Sequence, residues 1–263
     1  MTATDDLIGA FEIHSPPAIL AALHAGADPR VPIRGKPPIR WLIEMYTRTS
    51  RFAKCLQAML DAGATLDDPL LEAILLDDSG RLSNHLDSIP GELSRKIYLD
   101  GAYTCLQGVS ALHLCAEYNS TGCLERLLEL GADVDSRADV DSDGLGGQTP
   151  IFHAVNSNRN YCRPAMELLV DGGADLSVRV RGLAWGAGCD WETVLFDVTP
   201  ISYAQCGLLP QFHRLERETY SNIDGLYRRQ HGAPAPTRNV PNRYVSSSFD
   251  LAAARGGQSP EPD

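Results

Sequence analysis

Short runs of apolar residues spaced three and four apart recur along the chain, and each run breaks off at a glycine. The clearest are Ile19-Leu-Ala-Ala-Leu-His-Ala-Gly-Ala-Asp28, Cys55-Leu-Gln-Ala-Met-Leu-Asp-Ala-Gly-Ala64, Leu124-Glu-Arg-Leu-Leu-Glu-Leu-Gly-Ala-Asp133 and Met166-Glu-Leu-Leu-Val-Asp-Gly-Gly-Ala-Asp175. A weaker copy is Ile223-Asp-Gly-Leu-Tyr-Arg-Arg-Gln-His-Gly-Ala233. The spacing puts the apolar side chains on one face of a helix. The glycine can adopt the left-handed conformation that ends a helix and satisfies its last carbonyls. Alanine then suits a close approach between neighbouring units, and Asp suits the turn that follows.

A second phrase opens a partner helix. Thr149-Pro-Ile-Phe-His-Ala154 and Thr199-Pro-Ile-Ser-Tyr-Ala204 place Thr149 and Thr199 at helix N-caps, with Pro150 and Pro200 at the first helical position. Ser110-Ala-Leu-His-Leu-Cys-Ala116 is a softened third copy, and Pro38-Ile-Arg-Trp-Leu-Ile43 a fourth without the cap. Helix, helix, Gly-Ala, turn: the unit is a two-helix solenoid element.

Together the two phrases resemble the ankyrin repeat, whose roughly 33-residue unit carries T-P-L-H-x-A on its first helix. The resemblance runs over about residues 5–233 and is strongest at 108–178. It implies an all-α helix-turn-helix solenoid of about six repeats filling 1–233. The closing glycines stand at 26, 63, 131, 173 and 232, so long insertions must separate the units, near 90–107, 136–147 and 179–198. The third repeat is degenerate: Pro69-Leu-Leu-Glu-Ala-Ile-Leu-Leu76 and Gly80-Arg-Leu-Ser-Asn-His-Leu-Asp-Ser-Ile89 read as its helices, followed by an extended finger around Arg95–Leu99. The resemblance gives His113 the histidine position of the motif, where the ring ties adjacent repeats by hydrogen bonds. Phe152 takes that position in the fifth repeat and shifts His153 by one. From 234 to 263 the chain turns to Pro, Ser, Arg and Gly without enough apolar residues to pack, so a disordered tail is expected.

Charge and cysteine usage narrow the functions. A net charge of −11 repels phosphate backbones and anionic lipid, which argues against nucleic acid and membrane partners. The two basic clusters, Arg30/Arg34/Lys36/Arg40 and Arg214/Arg217/Arg228/Arg229, read as scattered helix-surface charge. Seven cysteines without a CxxC favour neither a disulfide framework nor a zinc ribbon and fit a reduced, cytoplasmic protein. The first residues lack the pattern of a signal peptide, and no run of about 18 apolar residues could span a membrane.

Candidate chemistry is sparse. Asp139, Asp141, Asp143 and Gly144 match the opening of a calcium loop, but its twelfth position, where a closing Glu is needed, is Pro150. No nucleophile elbow, P-loop, dinucleotide fingerprint or HExxH occurs. No metal, cofactor or catalytic residue is therefore expected. The insertion 179–198 holds Trp185 and Trp191 beside Arg179 and Arg181; with Tyr161 these are the candidate partner-binding residues, because Trp and Arg dominate interface hot spots. The opposing reading has both tryptophans holding the loop onto the last repeats. The expectation is a non-catalytic adaptor whose concave surface binds another protein. The alternative is a small-molecule-binding protein or enzyme using the insertions at 136–198 as a site.

Overall fold

A computed structural model describes residues 2–101 and 103–236. Among them twelve α-helices run as six consecutive pairs: α1 (Ala3–Glu12) with α2 (Pro16–His24), α3 (Pro38–Glu44) with α4 (Phe52–Asp61), α5 (Pro69–Leu76) with α6 (Ser79–Ser88), α7 (Ala111–Tyr118) with α8 (Thr121–Glu129), α9 (Ile151–Ala154) with α10 (Arg163–Asp171), and α11 (Pro200–Cys206) with α12 (Glu216–His231). Neighbouring pairs stack first helix on first (α1 on α3, α5 on α7, α7 on α9, α9 on α11) and second on second (α2 on α4, α6 on α8, α8 on α10, α10 on α12). The junction between the second and third pairs is different, because α4 packs on α5. One continuous apolar core runs through the stack from Leu7 to Leu226.

Local chemistry sets the helix ends. The oxygens of Thr2, Ser15, Asp68, Asp78 and Thr199 each accept a backbone N–H of the helix that follows. Pro200 stands first in α11, and Thr199 with Ser202 forms a reciprocal capping box. The glycines that end α2, α4, α8, α10 and α12 all have positive φ, between 68° and 104°.

Thr149 departs from the expected cap. Its hydroxyl is buried and finds no partner, and α9 begins only at Ile151, after Pro150, and lasts one turn. The chain leaves that helix through a tight segment in which Arg159 and Asn160 both have positive φ. Propensity cannot show this, because the length of α9 is set by how far the chain must travel to reach α10.

The all-α expectation is corrected by two antiparallel hairpins. The first pairs β1 (Ile97–Leu99) with β2 (Leu106–Val109). The second pairs β3 (Val180–Trp185) with β4 (Thr193–Val198), with Gly182 opposite Phe196 and Trp185 opposite Thr193. The stretch 179–198, read from the sequence as an inserted loop, is therefore a strand pair; Thr193-Val-Leu-Phe-Asp-Val198 is mostly β-forming residues, which the glycines of the tip obscure. The tail expected from 234 lies outside the described residues except for 234–236. There the Ala235 N–H donates to Asp224 Oδ1 at 2.9 Å.

Candidate functional site

The three insertions form one layer of adjacent fingers. The middle finger, around 138–148, closes through a bridge between Val140 and Gly146. It is stitched to the first hairpin by the Asp139 N–H donating to Gln107 O at 3.1 Å and the Tyr98 hydroxyl donating to Asp139 Oδ2 at 2.9 Å. It meets the second hairpin through the Gly146 N–H donating to Gly182 O at 2.9 Å. Gly108 permits this approach: a Cβ there would lie 1.9 Å from Asp139 Cγ, and its φ is +60°. Asp139, Asp141 and Asp143 thus serve the finger itself. Asp141 Oδ1 accepts the N–H groups of Asp143 and Leu145, and among the described residues no group of three or more His, Cys, Asp or Glu could hold a metal ion.

The fingers expose the large apolar side chains Tyr98 at 59%, Val140 at 58% and Phe196 at 74%, besides Trp191 at the tip of the third. None of the first three stood out in the sequence. Their signal is alternation, since Tyr98 sits between buried Ile97 and Leu99, but three residues are too few to read as a strand.

Below the fingers the hairpin ends meet the helices. Trp185 is buried at 4% exposure, stacked on Tyr103 (4.8 Å, 8°) and on Phe212 (4.2 Å, 20°). Trp191 remains 44% exposed and touches the edges of Tyr103 and Trp185. Arg179 is exposed and paired with Asp197 at 2.6 Å, and the exposed Arg181 lies over Gly144. Tyr161 is half-buried; its hydroxyl donates to Tyr118 O at 3.0 Å, and burial pushes its pKa up to about 12.

Beside this aromatic cluster a cleft of about 100 Å³ is lined by Tyr46, Arg48, Glu117, His153, Asn158 and Arg214, among others. Glu117 is its buried hub: Oε1 accepts from Arg48 Nε at 3.0 Å, and Oε2 lies 3.1 Å from His153 Nδ1. Burial raises the Glu117 pKa, but the Arg48 charge and the His153 contact outweigh it and hold the carboxyl below its ordinary value. His113, next to His153, accepts the Ser110 N–H on Nδ1 at 3.1 Å, so Nε2 carries the proton and donates to Gln148 O at 3.0 Å. That bond ties α7 to the strand of chain entering the next repeat. Burial, then the neighbouring His153, holds the His113 pKa well below its usual value.

The basic residues fall into two groups that the sequence does not separate. Arg30, Lys36, Arg228 and Arg229 are in ion pairs with Asp28, Glu44, Asp224 and Asp171. Arg214, read as surface charge, instead turns into the cleft.

Residues 91–180 match the family model for ankyrin repeats in three copies. Two Arabidopsis thaliana proteins, the ADP-ribosylation factor GTPase-activating proteins AGD2 and AGD4, are each 36% identical to this chain, over 103 and 101 residues. Those stretches are 36% and 35% of this chain and 12% of each relative, so the chain spans only a small part of the curated relatives it matches. The ankyrin repeat domain of human ASB11 aligns over 87% of this chain and 99% of its own, at 18% identity and a TM-score of 0.37. No helix among the described residues is long and apolar enough to cross a membrane. Residues 91–180 are ankyrin repeats in three copies.

Proposed function

We propose that the whole stack is an ankyrin-type array of six repeats, the third lacking the Gly-Ala ending, and that it acts as a non-catalytic adaptor binding another protein through its finger layer. The observation that carries this reading is the exposure of Tyr98, Val140 and Phe196 on three fingers joined side by side. Large apolar groups presented on a hydrogen-bonded scaffold lose little entropy on docking. Asp141 and Asp143 follow Val140 on the middle finger, while Asp139 and Asp197 are paired with Lys96 and Arg179 within the layer, so the surface offers both signs of charge around its apolar groups. Of the residues singled out from the sequence, the exposed Trp191, Arg179 and Arg181 extend this surface. Trp185 supports it from beneath, whereas Tyr161 bonds the Tyr118 carbonyl at the end of α7.

Copurification with quantitative mass spectrometry tests the reading. A stoichiometric protein should be retained by the native chain and lost from a Phe196→Asp, Val140→Asp double variant that keeps its helical circular dichroism. Equal recovery by both forms would move the interface elsewhere, and no stoichiometric protein even after crosslinking would end the adaptor reading.

A further inference from the structure

The cleft beside the aromatic cluster carries a charge opposite to that of the chain. Three formally charged side chains line it, Arg48, Arg214 and Glu117, leaving one positive charge in a protein of net charge −11. Arg48 is engaged at every nitrogen: Nε bonds Glu117, Nη1 donates to the carbonyls of Met45 and Thr47, and Nη2 donates to Gly101 O at 3.4 Å. Arg214 is not. Its Nε donates to Asn156 O at 2.8 Å and its Nη1 to Phe212 O at 2.6 Å. Among the described residues Nη2 has no hydrogen-bond partner, and no carboxylate lies within ion-pair distance. Burial depresses the Arg214 pKa, partly offset by Tyr203, Tyr103 and Glu117. A second polar atom lining the cleft, His153 Nε2, is buried and also unpartnered.

Arg214 is half-buried, so its Nη2 stays open to the cleft, and the planar fork of a guanidinium matches a carboxylate. The free volume, about 100 Å³, is the space of a few water molecules and suits a group of that size. The single surplus charge fits a monoanion, and Glu117, which also lines the cleft, would repel a dianion such as phosphate. Tyr46, exposed at the mouth and 5.6 Å from the Tyr103 ring, offers a flat apolar surface for whatever bears the carboxylate. We propose that this cleft binds a carboxylate group, anchored by Arg214, with an adjoining planar or apolar group resting on Tyr46. The site is separate from the exposed finger residues, and its occupant is either a free small carboxylate or the chain end of a bound polypeptide.

Tryptophan fluorescence of the full chain, with Trp185 and Trp191 beside the cleft, reads the binding. Benzoate should saturate the signal at millimolar concentration, and neutral benzamide should bind at least tenfold more weakly. A short peptide ending in phenylalanine, as free acid and as amide, is the second arm. Binding of both acids assigns a chain terminus, and binding of benzoate alone assigns a small carboxylate. Arg214→Gln should lose at least tenfold in benzoate affinity. Asn158→Asp, which alters a side chain without hydrogen bonds among the described residues, should lose at least threefold by repulsion. Failure of both acids, equal binding of benzoate and benzamide, or full affinity in a folded Arg214→Gln would overturn the proposal. Should that variant not fold, unchanged affinity in Asn158→Asp overturns it.

Discussion

The rings of Tyr103 and Trp185 stack 4.8 Å apart with their planes 8° from parallel, so two insertions distant in sequence are fastened together at their inner ends. The backbone repeats the contact, since the Gly186 N–H donates to Tyr103 O at 2.8 Å and Thr104 bridges to Trp185. Trp185→Ala should therefore cost about 3–5 kcal/mol, the range for removing a large buried aromatic. Trp191→Ala, at a largely open site, should cost under about 1 kcal/mol. Urea denaturation of the two variants separates them, and equal losses would contradict the different roles assigned to the two tryptophans.

Glu117 joins three parts of the stack: Arg48 after α3, its own helix α7, and His153 on α9. Arg48 and Glu117 are less than a tenth exposed. Removing one partner of such a buried pair strands the other charge, so Glu117→Gln should destabilise the protein by about 3 kcal/mol or more. Glu129→Gln, which breaks only the exposed pair with Arg126, should change stability by less than about 0.5 kcal/mol. Chemical denaturation midpoints at fixed slope give both values.

Acid should weaken the fold from about pH 6.5 downward through two buried histidines. Burial, then the Arg48 and Arg51 charges, holds the His14 pKa at about 4, and burial holds His113 well below its usual value. In the unfolded chain both take up a proton near pH 6.5, so the unfolded state binds more protons as pH falls below that value. Stability is present above 6.5 and is lost as pH drops, by up to about 1.4 kcal/mol per pH unit for each histidine. For His14 the loss levels off near pH 4. His14→Asn, which tolerates the native φ of 45°, should remove one proton from that slope between pH 6.5 and 4. An unchanged slope in thermal melts across this range would show that His14 does not contribute.

Gly108→Ala should loosen the first two fingers. A Cβ there meets the Asp139 carboxyl, and the positive φ adds strain, so a cost of about 1–3 kcal/mol is expected. Hydrogen exchange should speed up in 96–109 and 138–148 and remain unchanged in α1 and α2.

Much of the helical frame is legible residue by residue. Ile19–Leu23, Cys55–Leu60 and Leu124–Leu128 repeat one periodicity, and Thr199-Pro200 shows where a helix starts, because a cap, a proline or a left-handed glycine acts on its immediate neighbours. The fingers are legible only in outline. Arg95–Leu99 reads as extended, but 179–198 hides its strands behind glycines that make sense only once Gly182 is seen facing Phe196.

What the sequence determined by itself was therefore the repeating helix pair, its Gly-Ala ending and the places where insertions interrupt it, since local propensity and capping decide these. Tertiary structure decided the rest. It buried Trp185 and left Trp191 open, exposed Tyr98, Val140 and Phe196 on adjacent fingers, drew Arg48 and His153 onto Glu117, and turned Arg214 into the cleft without a carboxylate partner among the described residues. Each depends on contacts between segments far apart in the chain, where burial and pairing, rather than residue type, set what a side chain does.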